Sequence, residues 1–306
     1  MDAAVKSRHF IQLRRWDMFD FRDSCHFFRR AVVCFSLLAL AALPALTQTV
    51  TNSPALLPPN TPEFLDELNQ GVRAFKSAHY DEAIAHFRRA TELNPASVTA
   101  KIYLGTALAE NVVPGVIAPE NLRTAQQAID VFEKVLEANP HDVTSMKQIA
   151  AVSFAIGEMS EARAWQMKVL GEDPTDAEAA YTIGVVDWRE AHQNALKALS
   201  SAGLNDDGRG NADAPAEVMT AIAAQNRALV KEGLKYLTQA IEDRPDYSDA
   251  MAYLNLLYRR KADFDRDNES ALAEDLSQAK NWTNKAMATR KANKEKKGES
   301  GEPGPP

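Results

Sequence analysis

At 306 residues, with 45% apolar and 25% charged side chains, the chain is long enough to bury a substantial core. A net charge of −7, with no basic run among its central segments, argues against a nucleic-acid protein, which carries a basic face. Both cysteines, Cys25 and Cys34, lie near the N-terminus, which leaves the rest of the chain without disulfides, zinc–thiolate sites or a cysteine nucleophile.

In chain order, Arg29 and Arg30 precede a 16-residue apolar run over residues 31–46, AVVCFSLLALAALPAL, and the chain turns polar at Thr47. A positive region, an apolar run and small residues near its end read as a secretory signal, so residues 1–47 are expected to be a signal peptide. The run is short for a transmembrane helix, which needs about 20 residues, although an N-terminal anchor is the alternative because Ala45, Leu46 and Thr47 only approximate a cleavage site. Met18 would give a more ordinary start than Met1. The expected localisation is exported, periplasmic or envelope-associated, with membrane contact only through this segment if it is retained. Removing it leaves 28 Lys/Arg against 38 Asp/Glu, an acidic product. Residues 48–63 contain four prolines and no helical period, and read as an extended linker.

Residues 64–95 form two amphipathic stretches around a tight turn at 76–80. Small residues stand where two helices must touch: Gly71 in the first, Ala83 and Ala90 in the second. Phe87 fills the space between them, and Pro95 stops the second helix because proline has no N–H to donate. The pattern recurs. Pro95, Pro140, Pro174 and Pro245 are separated by 45, 34 and 71 residues, and Gly71, Gly105, Ala150, Gly184 and Asn255 by 34, 45, 34 and 71. Two independent markers thus report one 34-residue unit with two insertions.

This unit resembles the tetratricopeptide repeat. The resemblance covers residues 64–291 and implies an all-α, right-handed superhelical solenoid of about five helical hairpins, with residues 292–306 a disordered tail. It also implies a non-catalytic scaffold that binds another protein or peptide segment. The second hairpin carries an apolar loop at residues 110–120, ENVVPGVIAPE, expected to fold back over the solenoid. In the third, Ser160 is read as the N-cap of the second helix, and Trp165 as the aromatic residue one position early. The fourth is elongated: both helices gain about 12 to 15 residues and project roughly 18 to 22 Å, tipped by GLNDDGRGNADA. Its expected stripes are Trp188, Ala191, Ala195 and Leu199 on one helix and Val218, Ile222, Gln225 and Leu229 on the other.

No enzymatic motif is present: no Gly-rich phosphate loop, H-E-x-x-H or G-x-S-x-G, and His79, His86, His141 and His192 are scattered. No cofactor is expected beyond one candidate. Asp263, Asp265, Asp267 and Glu274 in DFDRDNESALAE have the carboxylate spacing of an EF-hand calcium loop, with Asn268 at the turn-glycine place and Ser270 at the apolar one. A periplasmic ligand-binding accessory, calcium-responsive through residues 263–274, is therefore the alternative function. The resemblance places the concave face on the first helix of each unit, so that Leu68, Val72, Ile102, Lys147, Tyr181, Val185 and Leu256 would line a partner-binding groove. Family members that grip a C-terminal carboxylate use Lys and Asn there, and only Lys147 fits, so the expected ligand is apolar or aromatic. The competing expectation is that these aromatics are packing residues.

Overall fold

The computed structural model describes residues 60–299, in which there are ten helices and no strand. The expected signal peptide, and the expected linker as far as residue 59, lie outside the described residues. The chain divides into two compact units within one helix, residues 1–162 and 163–306.

The first unit contains α1 (Pro62–Lys76), α2 (Tyr80–Leu93), α3 (Val98–Glu110), α4 (Pro119–Ala138), α5 (Val143–Ala155) and the start of α6 (Met159–Glu172). The helices alternate because the same punctuation recurs. Asn94 and Asn139, each before a proline, sit at φ/ψ of −137°/84° and −137°/87°, since the proline ring excludes the helical region for its predecessor. Three residues later Ser97 and Asp142 cap the next helix, accepting from the backbone N–H groups of Ala100 and Ser145 at 3.2 and 2.7 Å. α1 starts at Pro62, two residues earlier than expected, because Thr61 accepts from the N–H of Phe64 at 3.1 Å.

Within a hairpin, the helices meet where one has no side chain. A Cβ on Gly71 would lie 2.5 Å from the Phe87 ring, and one on Gly105 would lie 2.8 Å from the Phe132 ring. Phe87 and Phe132 are 2% and 0% exposed, so each ring is a plug that only a bare backbone can accept. Phe87 also meets Tyr103 at 5.4 Å between ring centroids, which joins the first hairpin to the second.

The third hairpin departs from the expectation. Ser160 lies inside α6, which begins at Met159, and is exposed, so it is not the cap. The residue four places after buried Ala162 is Gln166, 2% exposed, followed by buried Val169. Helical phase thus puts an amide where the other hairpins put a ring. Trp165 lies outside the seam, half-buried beneath the Lys168 ammonium 3.3 Å above its ring.

The second unit contains the rest of α6, α7 (Ala177–Ser201), α8 (Ala216–Asp243), α9 (Ser248–Ala262) and α10 (Glu269–Glu299). Leucine replaces phenylalanine as the plug: a Cβ on Gly184 would lie 2.5 Å from Leu237, and one on Gly233 2.7 Å from Leu257. The elongated hairpin is present, α7 and α8 having 25 and 28 residues. Its far half has its own core of Ala195, Leu199, Ala214, Met219 and Ile222. The stripe on α8 runs through Met219, Ile222, Asn226 and Val230, while Gln225 is exposed. Buried Asn226 accepts from Asn194 and donates to the carbonyl of Ala191, at 3.0 and 2.7 Å, which accounts for a polar residue in that seam. α10 continues as helix to Glu299, past residue 291 where the tail was expected to begin.

The plug geometry predicts that one substitution has opposite signs at two places. Gly71→Ala should destabilise the protein by about 1–2 kcal/mol, overpacking against Phe87 exceeding the roughly 1 kcal/mol helix-propensity gain. Gly171→Ala, in α6 with nothing within 4 Å of the added Cβ, should stabilise by up to about 1 kcal/mol. Chemical denaturation of the two variants checks this, and like-signed shifts contradict it.

Candidate functional site

The seven residues of the expected groove divide between the two units and differ in exposure. In the first unit Leu68 and Val72 on α1, Ile102 on α3 and Lys147 on α5 are half-buried; Leu68 and Val72 rest against the core formed by Ala74, Ala83, Phe87, Leu104 and their neighbours. In the second unit Leu256 on α9 is half-buried, but Tyr181 and Val185 are each only 4% exposed. Tyr181 packs on Tyr247 and Tyr253, with ring centroids 4.8 and 5.8 Å away, and Trp188 meets Tyr253 at 5.1 Å. The first half of α7 is buried nearly all round, from Ala179 to Trp188, so helical register alone does not put these two side chains on a surface. They are packing residues of the second unit.

The apolar loop between α3 and α4 folds back only in part. Val112 is 7% exposed, and the N–H of Gly115 donates to the carbonyl of Ala155 at 2.8 Å. Val113, Val116 and Ile117 are 54%, 40% and 77% exposed. They are nonetheless held in place, because the Asn121 amide donates to the carbonyls of Val113 and Val116 and accepts from the N–H of Val113, all at 2.7–2.9 Å. The first unit thus carries a fixed apolar knuckle.

The carboxylates with calcium-loop spacing do not converge. Asp263 turns inward and is 2% exposed, accepting from Asn211 Nδ2 at 2.8 Å and lying 3.2 Å from the Arg260 guanidinium. Asp265 accepts from Lys261 at 2.8 Å, Asp267 points outward beside Arg266, and Glu274 accepts from Gln278 at 2.8 Å. Among the described residues, no group of three His, Cys, Asp or Glu side chains is placed to hold a metal.

Asp263 instead belongs to a lock between the fourth and fifth hairpins. The tip of the fourth does not project; it folds onto the turn after α9. Arg260, 3% exposed, donates to both carboxylate oxygens of Asp206 at 2.7 and 2.8 Å. Arg259 donates to the carbonyl of Gly208 at 3.0 Å, and Arg266 to those of Asn211 and Ala214 at 3.2 and 2.7 Å. Gly210, at φ +99°, passes so close that a Cβ would lie 3.0 Å from the carbonyl oxygen of Ala262. Burial raises the Asp206 carboxyl, but Arg260 and the donors from Gly208 and Asn211 bring it below the ordinary carboxylate range. For Asp263 burial wins, assisted by Asp206, and pushes it up to about 6 despite Arg260.

A second buried carboxylate was not singled out in the sequence. Asp187 on α7 is 0% exposed; one oxygen accepts from Arg163 Nε at 2.8 Å and the other has no hydrogen-bond partner. Arg163 also pairs with Glu232 on α8. Burial pushes Asp187 up to about 6, outweighing Arg163, with Glu232 and Glu190 adding to the rise. An aspartate beside a tryptophan in an apolar run was the available signal, since a charge at a helix's buried face requires a partner.

A carboxyl that titrates near 6 when folded and about 3.9 when unfolded takes up its proton on folding between those values. Its stabilisation is complete below about pH 4 and is lost as the pH rises through about 6. Asp187→Asn removes this group's contribution, so the stability advantage of the native protein over the variant should be larger at pH 4.5 than at pH 7.5. Melts at the two pH values check this; an advantage that grows towards pH 7.5 contradicts it.

Residues 68–112 match the family model of the tetratricopeptide repeat. Among solved structures, MamA from Desulfovibrio magneticus RS-1, residue 41 to its end, is similar at 17% identity over 76% of this chain and 97% of that one, with a TM-score of 0.51. Another crystal structure of MamA is 14% identical over 80% and 98% of the two chains, with a TM-score of 0.49. YrrB, a tetratricopeptide protein with an unusual peptide-binding site, is 18% identical over 74% and 90%, with a TM-score of 0.44. No curated protein matches the sequence. Over residues 68–112 the chain carries a tetratricopeptide repeat, and its all-α fold of successive helical hairpins resembles that of the Desulfovibrio structure.

Proposed function

We propose that this protein is a non-catalytic interaction scaffold that holds an apolar or aromatic segment of another protein, and that it acts in the cell envelope after export. The observation that carries the reading is the exposure of the first unit's lining register. Phe87 and Phe132 close the hairpin seams, yet Leu68, Val72 and Ile102 remain half-exposed on α1 and α3. The binding face is therefore assigned to Leu68, Val72, Ile102 and Lys147, and the apolar knuckle at residues 113–117 is a further contact point in the same unit. Leu256 belongs to a separate face of the second unit, and Tyr181 and Val185 drop out of the site. Burying apolar surface yields about 25 cal/mol per Å², so a few such anchors reach micromolar affinity once ordering costs are met.

The calcium-responsive alternative requires Asp263 to leave Arg260 and Asn211. Export rests on the arginine-flanked apolar run at residues 31–46, and the mass of the native N-terminus tests it: removal of about 47 residues supports export, and an intact Met1 or Met18 on a soluble cytoplasmic protein contradicts it.

Selection from a displayed peptide library, with affinities by fluorescence polarisation, tests the binding mode. Apolar or aromatic peptides should be recovered, and Ile102→Asp should weaken them at least about tenfold with little change in melting temperature. Tyr181→Ala should do the reverse, costing about 3 kcal/mol or more of stability. Recovery of peptides held by their C-terminal carboxylate, or affinity indifferent to Ile102→Asp, contradicts the reading.

A further inference from the structure

The second half of α10 stands apart from the rest of an acidic chain. Residues 280–297 hold Lys280, Lys285, Arg290, Lys291, Lys294, Lys296 and Lys297 against the single acid Glu295. Arg290 is engaged with Asp249 at 2.7 Å, on the side where Ala286 is buried and Asn293 donates to the carbonyl of Asp246. Lys280, Lys285, Lys291, Lys294 and Lys296 face solvent instead. Lys280, Met287, Lys291 and Lys294 recur at intervals of seven, four and three residues, which places them along one stripe of the helix, whereas Lys285 and Lys296 lie about 140–160° round it. All are exposed, and Met287, in the middle of the stripe, is 66% exposed. Glu295 lies 3.8 Å from Lys291 and offsets only that charge. From Lys280 to Lys294 the stripe is about 21 Å long.

We propose that this face of α10 docks on an anionic phospholipid bilayer. A helix face is convex, which fits a plane of negative charge and provides no cleft for a discrete anion. The charge is supplied by lysines, compact point charges suited to a diffuse array of headgroups, while Arg290, the one guanidinium able to grip a phosphate from two directions, is used internally. The thioether of Met287 at the centre of the lysines gains from hydrocarbon beneath the headgroups and would gain nothing from a nucleic-acid backbone. Screening over about 8–10 Å confines the field of the stripe to its own neighbourhood, so the net charge of −7 does not cancel it at contact. This inference does not depend on the peptide-binding reading, and its experiment contains no peptide.

The test is co-sedimentation of the full chain with vesicles of phosphatidylcholine alone and with about one-third phosphatidylglycerol. The native protein should bind the anionic vesicles at least about tenfold more tightly, and that difference should collapse between 0.05 and 0.5 M salt. The combined variant Lys280→Gln, Lys291→Gln and Lys294→Gln should lose most of the anionic preference, with an unchanged melting temperature confirming that it folds. If that variant fails to fold, Lys294→Gln alone, at an exposed position, should weaken the anionic preference about twofold. The N-terminal segment carries seven Lys/Arg of its own, so the share of the anionic preference that α10 supplies is the share lost in the variant. Equal binding to neutral and anionic vesicles, an unaltered preference in the folded variant, tighter binding to duplex DNA, or salt-sensitive self-association in place of vesicle binding would each overturn the proposal.

Discussion

The structure depends on a contact that tolerates no Cβ. Gly71, Gly105, Gly184 and Gly233 each face a large side chain less than 3 Å from where a Cβ would stand. A glycine in a helix costs about 1 kcal/mol relative to alanine, so it persists only where close approach returns more. Here the return is the complete burial of a ring or a leucine between two backbones. The first, second and fourth hairpins each close on such a plug, and contacts such as Phe87 with Tyr103 and Gly233 with Leu257 join one hairpin to the next.

That plan leaves the first helices with a choice. Where both flanks are covered, as along residues 179–188 of α7, the lining register becomes core. Where they are not, as on α1 and α3, apolar side chains stay half-exposed and can meet another chain. The proposed binding face lies in the first unit for this reason. The second unit uses its extra length differently, burying Asp206, Asp263 and Arg260 to fasten the fourth hairpin to the fifth. Breaking one member of such a buried set strands the others and costs more than the set contributes intact.

Much of the fold was legible because its determinants are local. A proline stops a helix and constrains its predecessor wherever it occurs, and the spacing of Pro95, Pro140 and Pro174 reported the hairpins directly. Glycine opposite Phe87 was legible for the same reason. The third hairpin was misread because Trp165 attracted the aromatic assignment when phase required Gln166. The candidate site was less legible, since burial of Tyr181 depends on Tyr247, distant in sequence, and no local period reports that packing. The partner of Asp263 was not legible locally: its spacing to Asp265, Asp267 and Glu274 matched a metal loop, while Asn211, which donates to it, lies 52 residues away.

The central claim is that the fourth hairpin's tip is a docked part of the second unit rather than a free projection. Hydrogen exchange of the native protein beside Arg260→Met tests this most directly. The account predicts slow exchange over residues 195–222 in the native protein, and in the variant a joint loss of protection there and over residues 260–266. Exchange of the tip at unprotected rates in the native protein, or loss of protection in the variant confined to residues 260–266, would contradict it.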